Sequence, residues 1–389
     1  MLRGAGIHVR PASLPRLLEN AGGVAGRVTG MKRAADEPFR VVLVGYGLAG
    51  SVFHAPLIAA TPGLVLDTVV TTDADRRRRA LAAYPEVRLA SALEEVWARA
   101  HELDLLVVAS PNRTHVPIAT QALAAGLAVV VDKPMAATAA EARRLAALAD
   151  ERGLLLSAFQ NRRWDGDLLT VRGLVERGEL GRVHRFESRF ERWRPQLRGG
   201  WRDSSDPADA GGALYDLGSH LVDQALLLFG PVVSMYAELD VRRAGATIED
   251  DAFLALTHAS GVRSHLWMSA AAPQVGPRFR VLGSSAGYVK YGLDPQEAAL
   301  TAGQRPGPGW GAEPEDRWGR LDASASPFPG VGTPVPTLAG DYPAYYATLA
   351  AALRDGTRPP VTAAQAAATL DILEAARVSS LKRRTIALA

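Results

Sequence analysis

The sequence predicts an α/β protein in which a doubly wound parallel sheet is followed by an α+β domain with a largely antiparallel, open sheet. Two observations support this fold class. Nearly continuous apolar runs alternate with helical segments in residues 39–160, as in parallel strands that are buried on both faces. In residues 161–389 several runs alternate apolar with polar residues, and short turns such as Ser260-Gly261 join them, as in antiparallel hairpins. We therefore expect one domain at 39–160 and a second at 161–389.

The predicted strands of the first domain lie at 41–44, 64–71, 105–109, 128–131 and 154–159. One helix is predicted at 114–125. Another begins at Thr138, where Thr138 and Glu141 form a capping box, and ends before Gly153. We expect Pro56 to divide the first crossover helix into two pieces, because proline removes a backbone donor.

The predicted strands of the second domain lie at 183–191, 232–241, 251–257, 262–269, 278–282 and 288–291. Helices are predicted at 165–176, 216–229 and 342–354. A last helix begins at Thr362, where Gln365 completes a second capping box. The stretch 303–340 is rich in Pro and Gly, so we expect an irregular loop there.

Residues 1–38 are rich in Gly, Ala and Arg, and we expect them to form a disordered extension. They lack the continuous apolar core of a secretory signal. We also consider the hypothesis that the native protein starts at Met31.

The composition argues against several classes of protein. The net charge of +3 gives no support for nucleic-acid binding, and no apolar run reaches the length of a membrane span. The absence of cysteine excludes disulfides, thiolate metal sites and Cys nucleophiles. No cluster with metal-ligand spacing appears, so we expect no metal. One basic run, residues 76–79, is interpreted either as a solvated helix face or as a contact for a cofactor phosphate.

A glycine-rich loop follows the first predicted strand, with the sequence Gly45-Tyr46-Gly47-Leu48-Ala49-Gly50. Gly45 allows the tight turn, Gly47 lets a pyrophosphate approach the backbone, and Gly50 lets the next helix pack against the strand. This position after a buried strand predicts a Rossmann dinucleotide-binding domain. The alternative is a Gly-rich turn that binds no ligand.

Two motifs have the composition of a catalytic site. Asp216 and His220 are four residues apart, which on a helix places them in contact, and a carboxylate beside an imidazole favours a general base. Lys133 lies at the carboxyl end of a predicted parallel strand, where it can donate to a substrate oxygen. The alternatives are a core histidine with a capping aspartate, and a surface lysine.

Further candidate residues lie at neighbouring strand ends. The segment after the strand at 105–109 is expected to contact the nicotinamide-ribose end of a cofactor through Ser110, Pro111, Asn112 and His115, although helix initiation alone also explains it. The segment after the strand at 154–159 combines Arg with Trp, which suits a polyol or an acid. The predicted substrate contacts are Asn161, Arg163, Trp164 and Tyr215. The aromatic and basic run 190–195 is interpreted in the same way, or as an exposed sheet edge.

Together these motifs resemble the Gfo/Idh/MocA oxidoreductase family. The resemblance covers residues 39–389 and rests on the glycine loop, the tripeptide at 132–134 and the motif at 211–223. The segments 45–57, 161–165 and 288–297 resemble the subgroup that contains NADP-dependent scyllo-inositol 2-dehydrogenase. The resemblance implies a C-terminal sheet that forms an oligomer interface, and a catalytic set of Lys133, Asp216 and His220.

The cofactor expected from the resemblance is NAD(P). NADP is favoured by the subgroup, whereas Asp73 after the second predicted strand fits the ribose hydroxyls of NAD and repels a 2′-phosphate. Thr72 and Arg76 can bind the 2′-phosphate of NADP if the Asp73 carboxylate points away from it. We therefore expect a cytoplasmic, homo-oligomeric NAD(P)-dependent oxidoreductase that acts on a secondary alcohol of a cyclic polyol or sugar. The alternatives are an aldose or keto-sugar enzyme on the same fold, and a cofactor-sensing regulator without catalysis.

Overall fold

The structure is a computed structural model that describes residues 37–197, 199–324 and 331–388. Most of the predicted N-terminal extension, including Met31, lies outside these residues, as does part of the predicted loop at 303–340. Within the described residues, no helix is long and apolar enough to cross a membrane.

The first domain contains a six-stranded parallel sheet, as the apolar runs predict. Its strands are β1 Phe39–Val44, β2 Leu64–Val70, β3 Arg88–Ala90, β4 Leu105–Val108, β5 Ala128–Asp132 and β6 Leu156–Phe159. They are ordered β3-β2-β1-β4-β5-β6, and every pair is parallel. The switch in strand order between β1 and β4 creates a crevice at their carboxyl ends, where ligands of such sheets bind. The three-residue β3 gives no apolar run and has no counterpart among the predicted strands.

The crossover helices are α1 Ala55–Ala60, α2 Ala74–Ala83, α3 Leu93–Trp97, α4 His115–Ala124 and α5 Ala139–Arg152. A π-helical segment, Ala49–His54, leads directly into α1, and Pro56 lies in the first turn of α1, where its missing N–H is tolerated. The capping box of α5 forms as expected, with the Thr138 hydroxyl accepting from the Glu141 backbone N–H at 3.2 Å.

The second domain contains a nine-stranded sheet. Its helices and strands begin with α6 Gly166–Glu176, β7 Val183–Glu191, α7 Ser219–Phe229, β8 Val232–Asp240, β9 Asp251–His258, β10 Arg263–Ser269, β11 Phe279–Gly283 and β12 Gly287–Lys290. They continue with α8 Gln296–Thr301, β13 Gly319–Asp322, β14 Thr333–Val335, α9 Pro343–Asp355, α10 Ala363–Lys382 and β15 Ile386–Ala387. The strand order is β14-β13-β12-β11-β7-β10-β9-β8-β15. The pairing is antiparallel except between β7 and β10, which confirms a largely antiparallel sheet.

Two predictions for this domain are wrong in detail. The stretch 303–340 is not wholly irregular, because β13 and β14 extend the sheet there. The helix predicted at 216–229 is π-helical from Leu214 to Gly218 and becomes α-helical only at Ser219.

One helix joins the two domains. α10 packs against α5 of the first domain, and also against α7 and β8 of the second. Its capping box forms as predicted, with Thr362 accepting from Gln365 at 3.2 Å. One face of the nine-stranded sheet is less buried than the other. On β9, for example, half-buried and buried residues alternate along the strand, so the half-buried face is open.

Candidate active site

The glycine loop follows β1. At two of its three glycines, neighbouring atoms of the protein leave no room for a side chain. Gly45 has a φ of +96°, and a Cβ there would lie 2.5 Å from the Ala109 carbonyl oxygen. A Cβ on Gly50 would lie 2.0 Å from the Gly45 carbonyl oxygen. At Gly47 the nearest atom to a Cβ is the Arg76 Nη1, at 4.0 Å. The protein therefore leaves open space at the one glycine that is expected to face a pyrophosphate.

Arg76 lies beside this loop, whereas Asp73 acts as a helix cap. The Asp73 carboxylate accepts a hydrogen bond from the Arg76 backbone N–H at 2.8 Å, at the start of α2. That bond lowers the pKa of Asp73. Both Asp73 and Thr72 are exposed. The guanidinium of Arg76 is thus the cation next to Gly47, with the Asp73 carboxylate 3.9 Å from its Nε.

The segment after β4 is held by contacts within the protein. The two ring nitrogens of His115 lie 2.8 Å from the Pro134 carbonyl oxygen and 2.9 Å from that of Ser110. The Asn112 side chain donates to the Asp209 carbonyl oxygen at 2.8 Å. These bonds fix the loops after β4 and β5 relative to each other and to the second domain. Contacts of Ser110, Pro111, Asn112 and His115 with a cofactor stay a prediction.

Lys133 follows β5 and binds Asp216. Its Nζ donates to the Asp216 carboxylate at 2.9 Å and to the Asp216 carbonyl oxygen at 2.7 Å. The Nε of Arg202 lies 3.7 Å from the same carboxylate. Burial alone would raise the pKa of Asp216, but the Lys133 and Arg202 cations outweigh it and hold that pKa well below its usual range. Asp216 is therefore an anion that positions the Lys133 ammonium.

The structure does not bring Asp216 and His220 into the predicted pairing. Among the described residues no hydrogen bond or ion pair joins them, and the buried His220 Nδ1 has no hydrogen-bond partner. The physical reason is twofold: the π-helical turn around Asp216 changes the periodicity on which a four-residue spacing depends, and Lys133 binds the carboxylate.

The surroundings of His220 favour the uncharged form of its imidazole. Burial lowers its pKa, and the nearby cations Lys133, Arg162, Arg278 and Arg192 lower it further, to well below the usual range. A neutral imidazole can accept a proton at neutral pH.

Three of the four predicted substrate contacts point elsewhere. Arg163 is buried and donates to both carboxylate oxygens of Asp223, at 2.8 and 2.6 Å. The Trp164 ring packs edge-on against Tyr345. Tyr215 is buried beneath the Arg377 guanidinium, which lies 4.7 Å from its ring. Of the four, only Asn161 lines the cavity that holds the catalytic candidates.

That cavity has a volume of about 110 Å³ and brings together parts of both domains. The first domain contributes Leu48, Ala49 and Lys133, and the second contributes Asn161 and His220. Its remaining wall is strongly charged. The charged side chains on it include Arg162, Arg192, Arg202 and Glu297. No motif predicted Arg202 as a site residue. Glu297 ends the segment 288–297, which contributed to the family resemblance but gave no indication of a role in this cavity.

Comparisons with known proteins agree with this architecture. Residues 39–160 match the model of an oxidoreductase family with an NAD-binding Rossmann fold, and residues 168–289 match the GFO/IDH/MocA C-terminal domain. The chain belongs to the Gfo/Idh/MocA oxidoreductase family. It is therefore an oxidoreductase, and its first domain is the NAD-binding domain of that family.

Proteins with similar sequences match nearly the whole chain. An uncharacterized oxidoreductase of Escherichia coli, YdgJ, is 42% identical over 91% of this chain and all of its own. The NADP(+) scyllo-inositol 2-dehydrogenase IolW of Bacillus subtilis is 35% identical over 92% of this chain and 98% of its own. The solved structure of YvaA from Bacillus subtilis is 34% identical, with a TM-score of 0.85 over 92% of this chain and all of that one.

Proposed function

We propose that the protein is an NADP-preferring dehydrogenase that interconverts a secondary alcohol and a ketone on a cyclic polyol or sugar. The observation that carries this proposal is that Lys133 and His220 line one cavity beside the glycine loop. Burial and nearby cations lower the pKa of His220, which favours the uncharged imidazole. The similarity to IolW supports a polyol of the inositol type.

The chain's own residues fit a dinucleotide. The loop from Gly45 to Gly50 leaves space only at Gly47, which suits a pyrophosphate at the start of the helix that follows. Arg76 would bind a 2′-phosphate, and the Asp73 carboxylate already accepts the helix-capping bond. These contacts, together with the NADP dependence of IolW, support NADP over NAD.

The residues divide the proton chemistry between them. When bound, the nicotinamide supplies the acceptor for the hydride that leaves the substrate carbon. His220 takes the proton of the substrate hydroxyl, and the ammonium of Lys133 donates a hydrogen bond to the same oxygen as the carbonyl forms. Asp216 holds Lys133 in place through two contacts. In the reverse direction His220 returns the proton.

A substrate panel tests this function. Purified protein is incubated with inositol isomers, common sugars, sugar acids and sugar phosphates, with NAD⁺ and NADP⁺ in parallel, and nicotinamide absorbance is followed. We expect turnover of at least one polyol or sugar, faster with NADP⁺. His220→Ala should lower kcat by at least about 10²-fold while the Kd of NADPH stays within twofold. Near-normal turnover in that variant would remove His220 from its role, and no turnover of any pair would favour a cofactor-sensing regulator.

An aldose is the second candidate substrate. D-apiose dehydrogenase of Paraburkholderia graminis is 27% identical over 90% of both chains, and it supports this alternative. The same panel separates the two, because an aldose enzyme would oxidise the anomeric carbon and leave inositols unchanged.

A homo-oligomer formed through the open sheet face is also part of the proposal. On that face the Trp267 ring is tilted against the Phe253 ring, with 5.0 Å between the ring centres, and the Arg189 guanidinium lies 3.9 Å from the centre of the Trp267 ring. A half-exposed aromatic and cationic surface of this kind is common at protein interfaces. Light scattering after size-exclusion chromatography would give the subunit number, and a monomer at micromolar concentration would contradict the proposal. A cytoplasmic location stays a prediction.

A further inference from the structure

The walls of the candidate active site carry more positive than negative charge. Five cationic side chains line the cavity: Lys133, Arg162, Arg192, Arg194 and Arg202. Three carboxylates line it: Asp132, Asp216 and Glu297. A neutral polyol offers only hydroxyl groups, which do not require such an excess of cations.

The carboxylates on the wall are shared between cations. Asp216 is bound by Lys133 at 2.9 Å and also lies 3.7 Å from Arg202. Glu297 is bound by Arg162 and lies 4.0 Å from Arg192. In both pairs the first cation makes the close contact, and the second stands further away. Arg192 and Arg202 are therefore the two cations with the weakest contacts to these shared carboxylates.

Arg192 is poorly solvated as well as poorly paired. Its side chain is 19% exposed, and its guanidinium lies 4.5 Å from the centre of the Phe190 ring. Burial and the neighbouring Arg194 lower the pKa of Arg192 to about 10. A cation removed from water without a close anion is costly, and an incoming anion would offset that cost.

We propose that the substrate carries a carboxylate or phosphate group, which binds Arg192 and Arg202 while its reacting hydroxyl faces Lys133 and His220. This inference rests on the proposed dehydrogenase function. The planar guanidinium fork matches the two oxygens of a carboxylate or phosphate, and arginine is the residue best suited to such contacts. Within the proposed function, the substrate class is thus an acid or a phosphate ester of a polyol or sugar.

Binding to the protein–NADPH complex tests the inference without turnover. Calorimetry compares each anion with its neutral counterpart: D-glucuronate and D-glucose 6-phosphate with D-glucose, D-galacturonate with D-galactose, and D-gluconate with sorbitol. We expect at least one anion to bind at least about tenfold more tightly than its counterpart. A preference for uronates and gluconate identifies a carboxylate, and a preference for the phosphate ester identifies a phosphate.

Three variants locate the contact. Arg202→Gln and Arg192→Gln should each remove about tenfold of the preference for the anion, while affinity for the neutral counterpart stays within threefold. Arg202 is 37% exposed, so its variant should fold even if the Arg192 variant does not. Arg144→Gln is the control, because Arg144 is 70% exposed on α5 and is not among the residues that line the cavity. It should change nothing.

Three results would overturn the inference. One is equal affinity for every anion and its neutral counterpart, including no binding of either. Another is a preference for the anion that both arginine variants retain. The last is a loss of NADPH affinity in those variants as large as the loss of anion affinity, because the arginines would then bind the cofactor pyrophosphate. By contrast, a preference for an anion that the arginine variants lose, without oxidation of any tested compound by NAD⁺ or NADP⁺, would leave the anion-binding site standing and would count against the proposed dehydrogenase function.

Discussion

The glycine loop offers a test in which two similar substitutions should have opposite consequences. In Gly50→Ala the new Cβ would lie 2.0 Å from the Gly45 carbonyl oxygen, whereas ordinary contacts lie at 3.4–4 Å. The Gly45 oxygen is a backbone atom and the new Cβ is fixed to the backbone of residue 50, so the helix start must move away from β1. We expect a loss of about 1–3 kcal/mol in the free energy of unfolding, as for other overpacked sites.

In Gly47→Ala the new Cβ meets no atom closer than 4.0 Å, and the backbone there needs no positive φ. The free energy of unfolding should therefore stay within about 0.5 kcal/mol. The methyl group fills the space through which a pyrophosphate would approach, so the Kd of NADPH should rise at least about tenfold, equivalent to about 1.4 kcal/mol.

Urea unfolding and a fluorescence titration with NADPH measure the two quantities separately. Gly307→Ala is the matched control, because a Cβ there meets nothing within 4 Å and Gly307 lies in a loop outside the nucleotide-binding domain. It should alter neither quantity. If Gly47→Ala bound NADPH with unchanged affinity, the space at Gly47 would not be a pyrophosphate site.

Three further predictions concern ionisable side chains. Lys133→Met should lower kcat by at least about 10²-fold with NADPH affinity within twofold, and a steady-state rate near that of the unaltered protein would contradict the role of Lys133. Arg76→Ala should raise the Kd of NADPH at least about tenfold and leave that of NADH within twofold; equal losses for both in a titration would argue against a 2′-phosphate contact. Because the pKa of His220 is depressed, the imidazole stays uncharged as the pH falls below about 6.5, so kcat/KM for oxidation should begin to fall only below that pH; a decline that begins at pH 7 or above would be inconsistent with the burial of His220.

The sequence predicts the first domain well because its signals are local. Apolar runs and capping boxes act within a few residues, and the strands and α5 form where those signals lie. The missed elements lack such signals. β13 and β14 are short, contain Gly319 and Pro334, and owe their strand conformation to pairing with β12 and with each other. Tertiary context decides such segments, and a single sequence does not reveal it.

The sequence also did not reveal the directions in which some side chains of the candidate site point. Arg162 and Arg163 are adjacent in one helical turn, yet Arg162 lines the cavity and Arg163 binds the buried Asp223. The sequence analysis predicted Arg163 rather than Arg162 as the substrate contact, because the direction of each side chain depends on how the turn packs and cannot be read from the composition. Glu297 reaches the site from α8, a helix that the sequence did not predict.

The position of Asp216 changes how the charge of the reaction is balanced. If Asp216 paired with His220, the imidazolium formed during oxidation would have its own counter-ion. In the structure Asp216 stabilises Lys133 instead. Four nearby cations oppose a positive charge on His220: Lys133, Arg162, Arg278 and Arg192. These cations stabilise the developing negative charge on the substrate oxygen but make His220 a weaker base. An anion bound at Arg192 would offset part of that opposition, so an acidic substrate would assist its own deprotonation. The Arg192 cation would then bind the substrate and also influence the basicity of His220.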